Sequence, residues 1–188
     1  MTAALVVVAV VALLAGAAAG WAAAHRVRSR VPPGAGPVHR ILLPFTGTAI
    51  SRRALDAALR LARAEHATLM PAFLATVPKQ LPLDAALPRQ ASIGMPVLEA
   101  IEQAATRAEV PVDARIARGR TYRHALQRLL DEERFDRVIV STTSNPHGGL
   151  SGDDLVWLLE EAPAEVVILR PAPGDRMRVA ADAVQGHF

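Results

Sequence analysis

The sequence predicts an α/β protein, with a three-layer α/β/α domain on a five-stranded parallel sheet behind one N-terminal transmembrane helix. Short apolar runs alternate with amphipathic helical patterns, and this alternation implies right-handed crossovers and a parallel sheet. A long uncharged segment precedes them, and a Pro- and Gly-rich stretch separates the two parts. The expected domains are an anchor over residues 1–24, a basic linker over 25–38, the α/β domain over 39–172 and a tail over 173–188.

Composition narrows the class of function. The chain has 188 residues, no Cys and only 4% aromatic residues. Without Cys the protein has no thiol nucleophile and no Cys-based zinc site. Few aromatic residues disfavour a stacking platform for single-stranded nucleic acid, and a formal charge of +3 is a weak basic excess. We therefore expect no nucleic-acid partner.

The first segment, Thr2–Ala24, carries no charged side chain. At about 1.5 Å per residue, a helix of this length crosses a hydrocarbon core of roughly 30 Å. Arg26, Arg28 and Arg30 follow it, and such charges favour the cytoplasmic side and attract anionic lipid headgroups. We expect a single-pass protein of the cell membrane, with the N-terminus outside and the α/β domain in the cytoplasm.

Two alternatives to the anchor stay open. The small residues Ala17–Ala19 and Ala22–Ala24 are compatible with a cleaved secretory signal, although signal peptides carry basic residues before the apolar core and here they follow it. The segment would alternatively be a buried globular helix, but a run without a polar face needs a large core around it.

The elements of the α/β domain begin after the linker segment Val31–Pro37, whose prolines and glycines interrupt any helix. The first strand is ILLPF, a continuous apolar run typical of a strand covered on both faces. Ser51 is the expected N-cap of the first helix. The apolar face of that helix is formed by Ala54, Leu55, Ala58, Leu61 and Ala62.

The remaining elements follow from the same periodicities. We expect a strand over 67–76, a long surface loop over 77–90, a helix over 96–108, a strand over 112–117, a helix from Thr121, a strand over 137–142, a helix over 153–161 and a strand over 165–170. The last helix should bury Leu155, Leu158, Leu159 and Ala162. The tail has little periodic signal and is expected to be mobile.

The α/β domain resembles a universal stress protein over roughly residues 40–171. The segment ILLPFTGTAISRRALDAALRLARAEHATL is similar to that family's opening strand, turn and first helix. ARGRTYRHALQRLLDEERFDRVIV resembles its third strand, third helix and fourth strand, and APAEVVILR its closing segment. The resemblance implies a sheet of order 3-2-1-4-5, of the adenine-nucleotide alpha-hydrolase-like type, and a homodimer formed through the last strand.

In a sheet of that order, ligands bind in the crevice outside the carboxyl ends of the first and fourth strands. Family members that bind ATP have an acidic residue after the first strand and the pattern Gly-x2-Gly-x9-Gly-Ser/Thr after the fourth. The backbone N–H groups of such loops hold phosphates. The crevice positions in this chain are Thr46, Gly47, Ser141, Ser144, Gly148, Gly149, Gly152 and Asp153.

This chain departs from the ATP-binding pattern. Thr46 stands where the family has Asp, and Ser141 and Ser144 stand where the first two glycines would be. Asp153 replaces the Ser or Thr at the expected N-cap, where a carboxylate accepts the N–H groups that a phosphate would use. Asp154 adds a second negative charge. We expect no ATP bound in the usual family manner and no other cofactor.

Other site chemistries have weaker support. His147 and Ser151 share a polar loop without a positioned catalytic pair, and Gly148 and Gly149 form either a nest for a small anion or a plain surface loop. A phospho-receiver site fails, because the sequence has Thr46 and Arg118-Gly119-Arg120 where acidic groups are required. Capping and solvent exposure, rather than a metal, are expected to explain Asp153, Asp154, Glu160 and Glu161.

The sequence therefore indicates a membrane-tethered, non-enzymatic binding or regulatory module that forms a homodimer. A nucleotide-binding or slowly ATP-hydrolysing protein of the same fold is the alternative, and a sensor attached to a membrane protein such as a transporter is the third. One helical face is basic and is either solvated or in contact with anionic lipid. That face is formed by Arg52, Arg53, Arg60 and Arg63.

Overall fold

The computed structural model describes residues 39–141, 150–170 and 175–178. The strands in these ranges are β1 (Arg40–Phe45), β2 (Ala49–Ser51), β3 (Thr68–Thr76), β4 (Arg115–Gly119), β5 (Arg137–Ser141), β6 (Glu165–Leu169) and β7 (Arg176–Arg178). The helices are α1 (Arg52–Ala64), α2 (Pro88–Arg107), α3 (Tyr122–Glu132) and α4 (Gly152–Glu161).

Five of the strands form one parallel sheet in the order β4-β3-β1-β5-β6. Numbered along the chain within this sheet alone, the order is 3-2-1-4-5. β1 pairs with β3 on one side and with β5 on the other. The five-stranded parallel α/β sheet is confirmed, and the strand order reverses between β1 and β5, which is where such sheets bind ligands.

The structure adds two short strands that the sequence did not predict. β2 and β7 pair antiparallel in a separate two-stranded sheet. The predicted tail therefore contains one short strand, β7, and its mobility stays a prediction. Asp175, just before β7, accepts hydrogen bonds from Ser51 Oγ at 3.0 Å and from the backbone N–H of Arg53 at 3.4 Å. These bonds join residues more than a hundred positions apart, so local periodicity does not reveal them.

Helices cover both faces of the sheet. Ile41, Leu43 and Phe45 of β1 pack in the layer of α1 and α2, whereas Leu42 packs in the layer of α3 and α4. All four are buried, as the continuous apolar run predicts. Ser51 is confirmed as the N-cap of α1, since its Oγ accepts the N–H of Ala54 at 3.1 Å. The predicted apolar face of α1 is buried except at Leu61, which is half-buried.

Helix α2 begins at Pro88, not at Pro96 as the sequence predicted. Pro96 lies inside the helix, where it removes one backbone hydrogen bond. Tertiary contacts hold the first half in place. The side chain of Gln90 accepts the N–H of Thr76 at 2.9 Å, and Gly94 lies against the ring of Phe73, where an added Cβ would be 2.5 Å from Cδ1. Only a glycine permits this approach of helix and strand.

Helix α4 also differs from the prediction in its buried face. It buries Trp157 and Leu158, whereas Leu159, which was expected to be buried, is 61% exposed. The reason is the contact between α4 and α3. The guanidinium carbon of Arg123 lies 4.8 Å from the centroid of the Trp157 ring, and Trp157 packs in the same layer as the buried side chains of α3.

The third strand of the sheet starts later than the sequence predicted. β4 spans Arg115–Gly119, and Val112 contributes only an isolated bridge to Leu69. In the part of the chain that the structure describes, no helix combines the length and the apolar character that a membrane crossing needs. The expected anchor and basic linker lie outside the described residues.

Candidate functional site

The sequence predicts a ligand crevice at the carboxyl ends of β1 and β5. These strands are parallel neighbours, so the residues that follow them meet at one edge of the sheet. Thr46 follows β1 directly and Ser141 ends β5, and both are half-buried. The fold therefore places these two predicted residues at the edge where the strand order reverses. Ser144, His147, Gly148 and Gly149 lie outside the described residues.

The loop after β1 carries no acidic side chain. Thr46 offers a neutral hydroxyl, and Gly47 turns the chain with a φ of 71°. That conformation suits glycine, and Gly47 is exposed with open space at the position of a Cβ. The loop continues into β2, whose partner is β7, so the C-terminal strand fixes the far end of this loop.

The amino end of α4 lies at the same edge of the sheet, because α4 follows β5 in a parallel crossover, and its cap differs from the prediction. The N-cap is Ser151 and not Asp153, because the helix begins at Gly152. Ser151 Oγ accepts the N–H of Asp154 at 3.1 Å. In return, Asp154 Oδ2 accepts the N–H of Ser151 at 2.8 Å and the hydroxyl of Ser151 at 2.7 Å. This reciprocal arrangement is a capping box, and it makes Asp154 the capping carboxylate.

The charges at this helix end disfavour a phosphate. Asp153 and Asp154 both lie in the first turn of α4, where carboxylates stabilise the helix dipole. A phosphate there would compete with Asp154 for the orphan N–H groups and would meet both carboxylates. Each close like-charge pair costs about 1 kcal/mol at 4 Å in water, and more where solvent is excluded. The carboxylate that caps this helix is therefore that of Asp154 and not that of Asp153.

The amino end of α1 faces the same edge of the sheet, because α1 follows β1 in a parallel crossover. It also has a Ser–Asp pair. Ser51 Oγ caps the helix and donates to Asp175, which also accepts the N–H of Arg53. Sequence reasoning missed Asp175, because nothing local in the tail predicts that it binds a helix more than a hundred residues earlier.

The acidic residues near the amino end and on the exposed face of α4 can be compared with what a metal site needs. No group of three or more His, Asp or Glu residues there is arranged to hold a metal ion. Asp153, Glu160 and Glu161 are exposed, and Asp154 is engaged in the capping box. The capping explanation for Asp154 is confirmed. That the protein has no metal and no catalytic residue stays a prediction.

Comparisons with known proteins agree with this architecture. The family model described as "Universal stress protein family" matches residues 37–181. Among solved structures, a protein of that family from Burkholderia pseudomallei is similar, with 23% identity and a TM-score of 0.54 over 74% of this chain and 100% of that chain. A search of curated proteins finds no match.

Two similar structures are named with a nucleotide. A universal stress protein in complex with cAMP has 21% identity and a TM-score of 0.54, over 73% of this chain and 100% of that chain. A family protein from Arabidopsis thaliana with AMP bound has 14% identity and a TM-score of 0.51, over 79% of this chain and 96% of that chain. At these identities the likeness concerns the fold alone.

Proposed function

Because the chain belongs to the universal stress protein family, we propose that its α/β domain is a non-enzymatic binding or regulatory module that does not hold ATP in the usual family manner. One observation carries this proposal. Both helix amino ends at the ligand-binding edge of the sheet are occupied by Ser–Asp pairs of the protein itself, Ser51 with Asp175 and Ser151 with Asp154.

The energetics support this proposal. A triphosphate bound at the amino end of α4 would have to displace the side chain of Asp154. This displacement removes a helix cap that contributes about 1 kcal/mol to stability. It would then keep Asp153 and Asp154 as close negative neighbours. Thr46 supplies no carboxylate where ATP-binding members of the family have one. This chain therefore lacks the carboxylate contact of the ATP-binding members, and phosphate contacts at the amino end of α4 would be weaker than theirs.

A nucleotide with less phosphate charge is the second candidate ligand. The similar structures named with cAMP and AMP favour it, because these ligands carry a single phosphate. One phosphate meets fewer like-charge contacts at the end of α4 than three do. On this alternative the domain is a nucleotide-binding member of the family.

The test is a calorimetric titration of the full-length chain with ATP, AMP and cAMP, each with and without magnesium. The proposal predicts no ATP binding at micromolar concentrations. Micromolar ATP binding would overturn it. Micromolar binding of AMP or cAMP without comparable ATP binding would establish the second candidate instead.

We also propose that the module is tethered to the membrane through Thr2–Ala24, with the Arg cluster that follows on the cytoplasmic side. The support is the charge-free sequence of that segment and the position of Arg26, Arg28 and Arg30. Alkaline extraction of membranes tests it, because an integral protein stays in the pellet. Release of the full-length chain into the supernatant would contradict the tether.

The basic face of α1 would aid such a tether. Arg52, Arg53 and Arg60 are exposed. Arg63 forms an ion pair with Glu109, in which Arg63 Nη2 lies 3.3 Å from Glu109 Oε2. Each free cation near an anionic surface contributes about 1 kcal/mol at low salt. The double substitution R52Q/R53Q should therefore weaken the binding of the full-length chain to vesicles rich in phosphatidylserine. Unchanged binding at low salt would show that the basic face of α1 does not contact lipid. Cross-linking would then test the third possibility, a membrane-protein partner.

A homodimer through the last strand of the sheet is the remaining proposal. β6 is an edge strand of the sheet, and Ile168 on it is 36% exposed. Val156 and Leu159 on α4 are 53% and 61% exposed. Apolar side chains on an open edge favour pairing with a second copy. Sedimentation should show that I168K shifts the chain toward monomer, whereas I93K, at a 41% exposed site on α2, should leave its assembly unchanged.

A further inference from the structure

The side chain of Gln90 is bound to the backbone of Thr76 by two hydrogen bonds. Gln90 lies in the first turn of α2, and its Oε1 accepts the N–H of Thr76 at 2.9 Å. Its Nε2 donates to the carbonyl oxygen of the same residue at 2.5 Å. Thr76 is the last residue of β3, so this carboxamide takes the place of a neighbouring strand at the end of β3.

The backbone groups of Thr76 face the β1 side of β3 and lie beyond the end of β1. At the other end of β3, the N–H of Thr68 donates to the carbonyl oxygen of His39, directly before β1, at 2.8 Å. Alternate residues of a strand bond to opposite neighbours, and Thr76 is an even number of residues after Thr68, so it faces the same side. β1 ends at Phe45, which pairs with Phe73. Thr76 is therefore beyond the reach of β1, at the carboxyl edge of the sheet.

A ligand that replaced Gln90 would need the same pattern of polar groups. A primary carboxamide presents one acceptor beside one donor. The Watson–Crick edge of adenine presents the same pair in one plane, with N1 as the acceptor and the N6 amino group as the donor. AMP and cAMP, proposed above as second candidate ligands, both carry this base.

The side chain of Gln90 can leave Thr76 without unfolding α2. The helix stays attached to β3 through Gly94, whose close approach to the ring of Phe73 does not involve Gln90. Rotation about the side-chain torsions of Gln90 therefore suffices to free both backbone groups of Thr76. Gln90 and Thr76 are both half-buried, so the exchange with a ligand takes place where solvent has access.

We propose that Gln90 is an internal gate, whose carboxamide competes for the backbone of Thr76 with an external planar group that carries one acceptor beside one donor. Adenine is the ligand group that fits this description. The inference rests on the proposed function, because it names a further way in which the protein occupies this edge of the sheet with its own side chains. It concerns the base alone, so a ligand without phosphate tests it.

The experiment is an amide chemical-shift titration of the ¹⁵N-labelled full-length chain with adenosine and with purine riboside, which lacks only the N6 amino group. Neither probe carries phosphate, so the result does not depend on the Ser–Asp pairs. In Q90A we expect adenosine to shift the amide of Thr76 and to bind about tenfold more tightly than in the unmodified chain, because no side chain competes for the two hydrogen bonds. Purine riboside should gain less than about threefold, since it cannot donate to the carbonyl oxygen.

Q103A is the matched control, because Gln103 is an exposed glutamine of the same helix, and it should leave both affinities unchanged. Equal affinities for adenosine in Q90A and in the unmodified chain would overturn the proposal. An equal gain for purine riboside would also overturn it, because that result would mean that Q90A only loosens α2.

If Q90A does not fold, the unmodified chain decides the question. Adenosine at millimolar concentration should then shift both the side-chain NH₂ signals of Gln90 and the amide of Thr76, and unchanged signals would overturn the proposal. Micromolar ATP binding by the unmodified chain would contradict the proposed function instead, and the comparison of adenosine with purine riboside would still decide whether Gln90 is a gate.

Discussion

The substitution S151A tests the capping box of α4 directly. It removes the hydroxyl that accepts the N–H of Asp154 at 3.1 Å and donates to the carboxylate of Asp154 at 2.7 Å. Loss of an N-cap side chain costs about 0.5–2 kcal/mol. Ser151 is exposed, so water partly replaces the lost bonds, and we expect a loss of about 1 kcal/mol in the free energy of unfolding.

A double-mutant cycle that combines S151A with D154A measures the interaction energy between the two side chains. The aspartate contributes through its bond to the backbone N–H of Ser151 at 2.8 Å and through the helix dipole, together about 1 kcal/mol. Because the two side chains bind each other, the double variant should lose less than the sum of the single losses. A coupling of about 0.5 kcal/mol or more is expected for residues in contact.

The assay is urea unfolding of the full-length chain, followed by far-ultraviolet circular dichroism. S92A is the matched control, since Ser92 is an exposed serine of α2 whose hydroxyl donates to the carbonyl of Arg89 and caps no helix. It should change the free energy of unfolding by less than about 0.5 kcal/mol. Equal effects of S151A and S92A, or strictly additive effects of S151A and D154A, would refute the capping box as the dominant structure at this helix end.

Three further predictions concern packing and the C-terminal strand. G119A should lower the free energy of unfolding by about 1–3 kcal/mol in urea melts, because the new Cβ would lie 2.6 Å from a backbone Cα of α3. G152A should be neutral or stabilising, because the position of its Cβ is open space. L158A should lower the free energy of unfolding by about 2–5 kcal/mol in the same melts, because Leu158 is 0% exposed. L159A should lower it by less than about 0.5 kcal/mol, because Leu159 is 61% exposed. Equal losses would mean that the orientation of α4 is wrong. D175A should raise the amide hydrogen-exchange rates of β2, because β7 loses its attachment to α1, and unchanged rates would show that the backbone pairing of β2 and β7 suffices.

Much of the fold follows from local sequence signals. The buried run of β1 and the cap and apolar stripe of α1 were predicted because they depend on neighbouring residues and on burial of one face. The start of α2 was not predicted, because the prolines up to Pro88 signal a loop and Pro96 signals the first residue of a helix. The helix begins earlier because Gln90 and Gly94 hold its first half through contacts with β3. Long-range contacts overrode the local signal of proline there.

The candidate site also combines features that local sequence signals predict with features that depend on distant residues. Thr46 and Ser141 were placed at the correct edge of the sheet, since strand ends are visible in the sequence and the strand order came from the family resemblance. The predicted N-cap, Asp153, lies two residues after the observed N-cap, Ser151, because Gly152 was read as the end of a loop and is the first residue of α4. The role of Asp175 depends on the pairing of β2 with β7, which no sequence period indicates.

Titration of the full-length chain with magnesium-ATP and, separately, with adenosine tests the central claim most directly, because the difference in affinity isolates the contribution of the phosphates. We predict that ATP binds no more tightly than adenosine, and that D154S, which retains a capping hydroxyl but removes one charge, improves ATP binding relative to adenosine. ATP binding at least tenfold tighter than adenosine in the unmodified chain, with shifts at the amides of Ser151–Asp154, would contradict the claim that the protein's own carboxylates occupy this helix end.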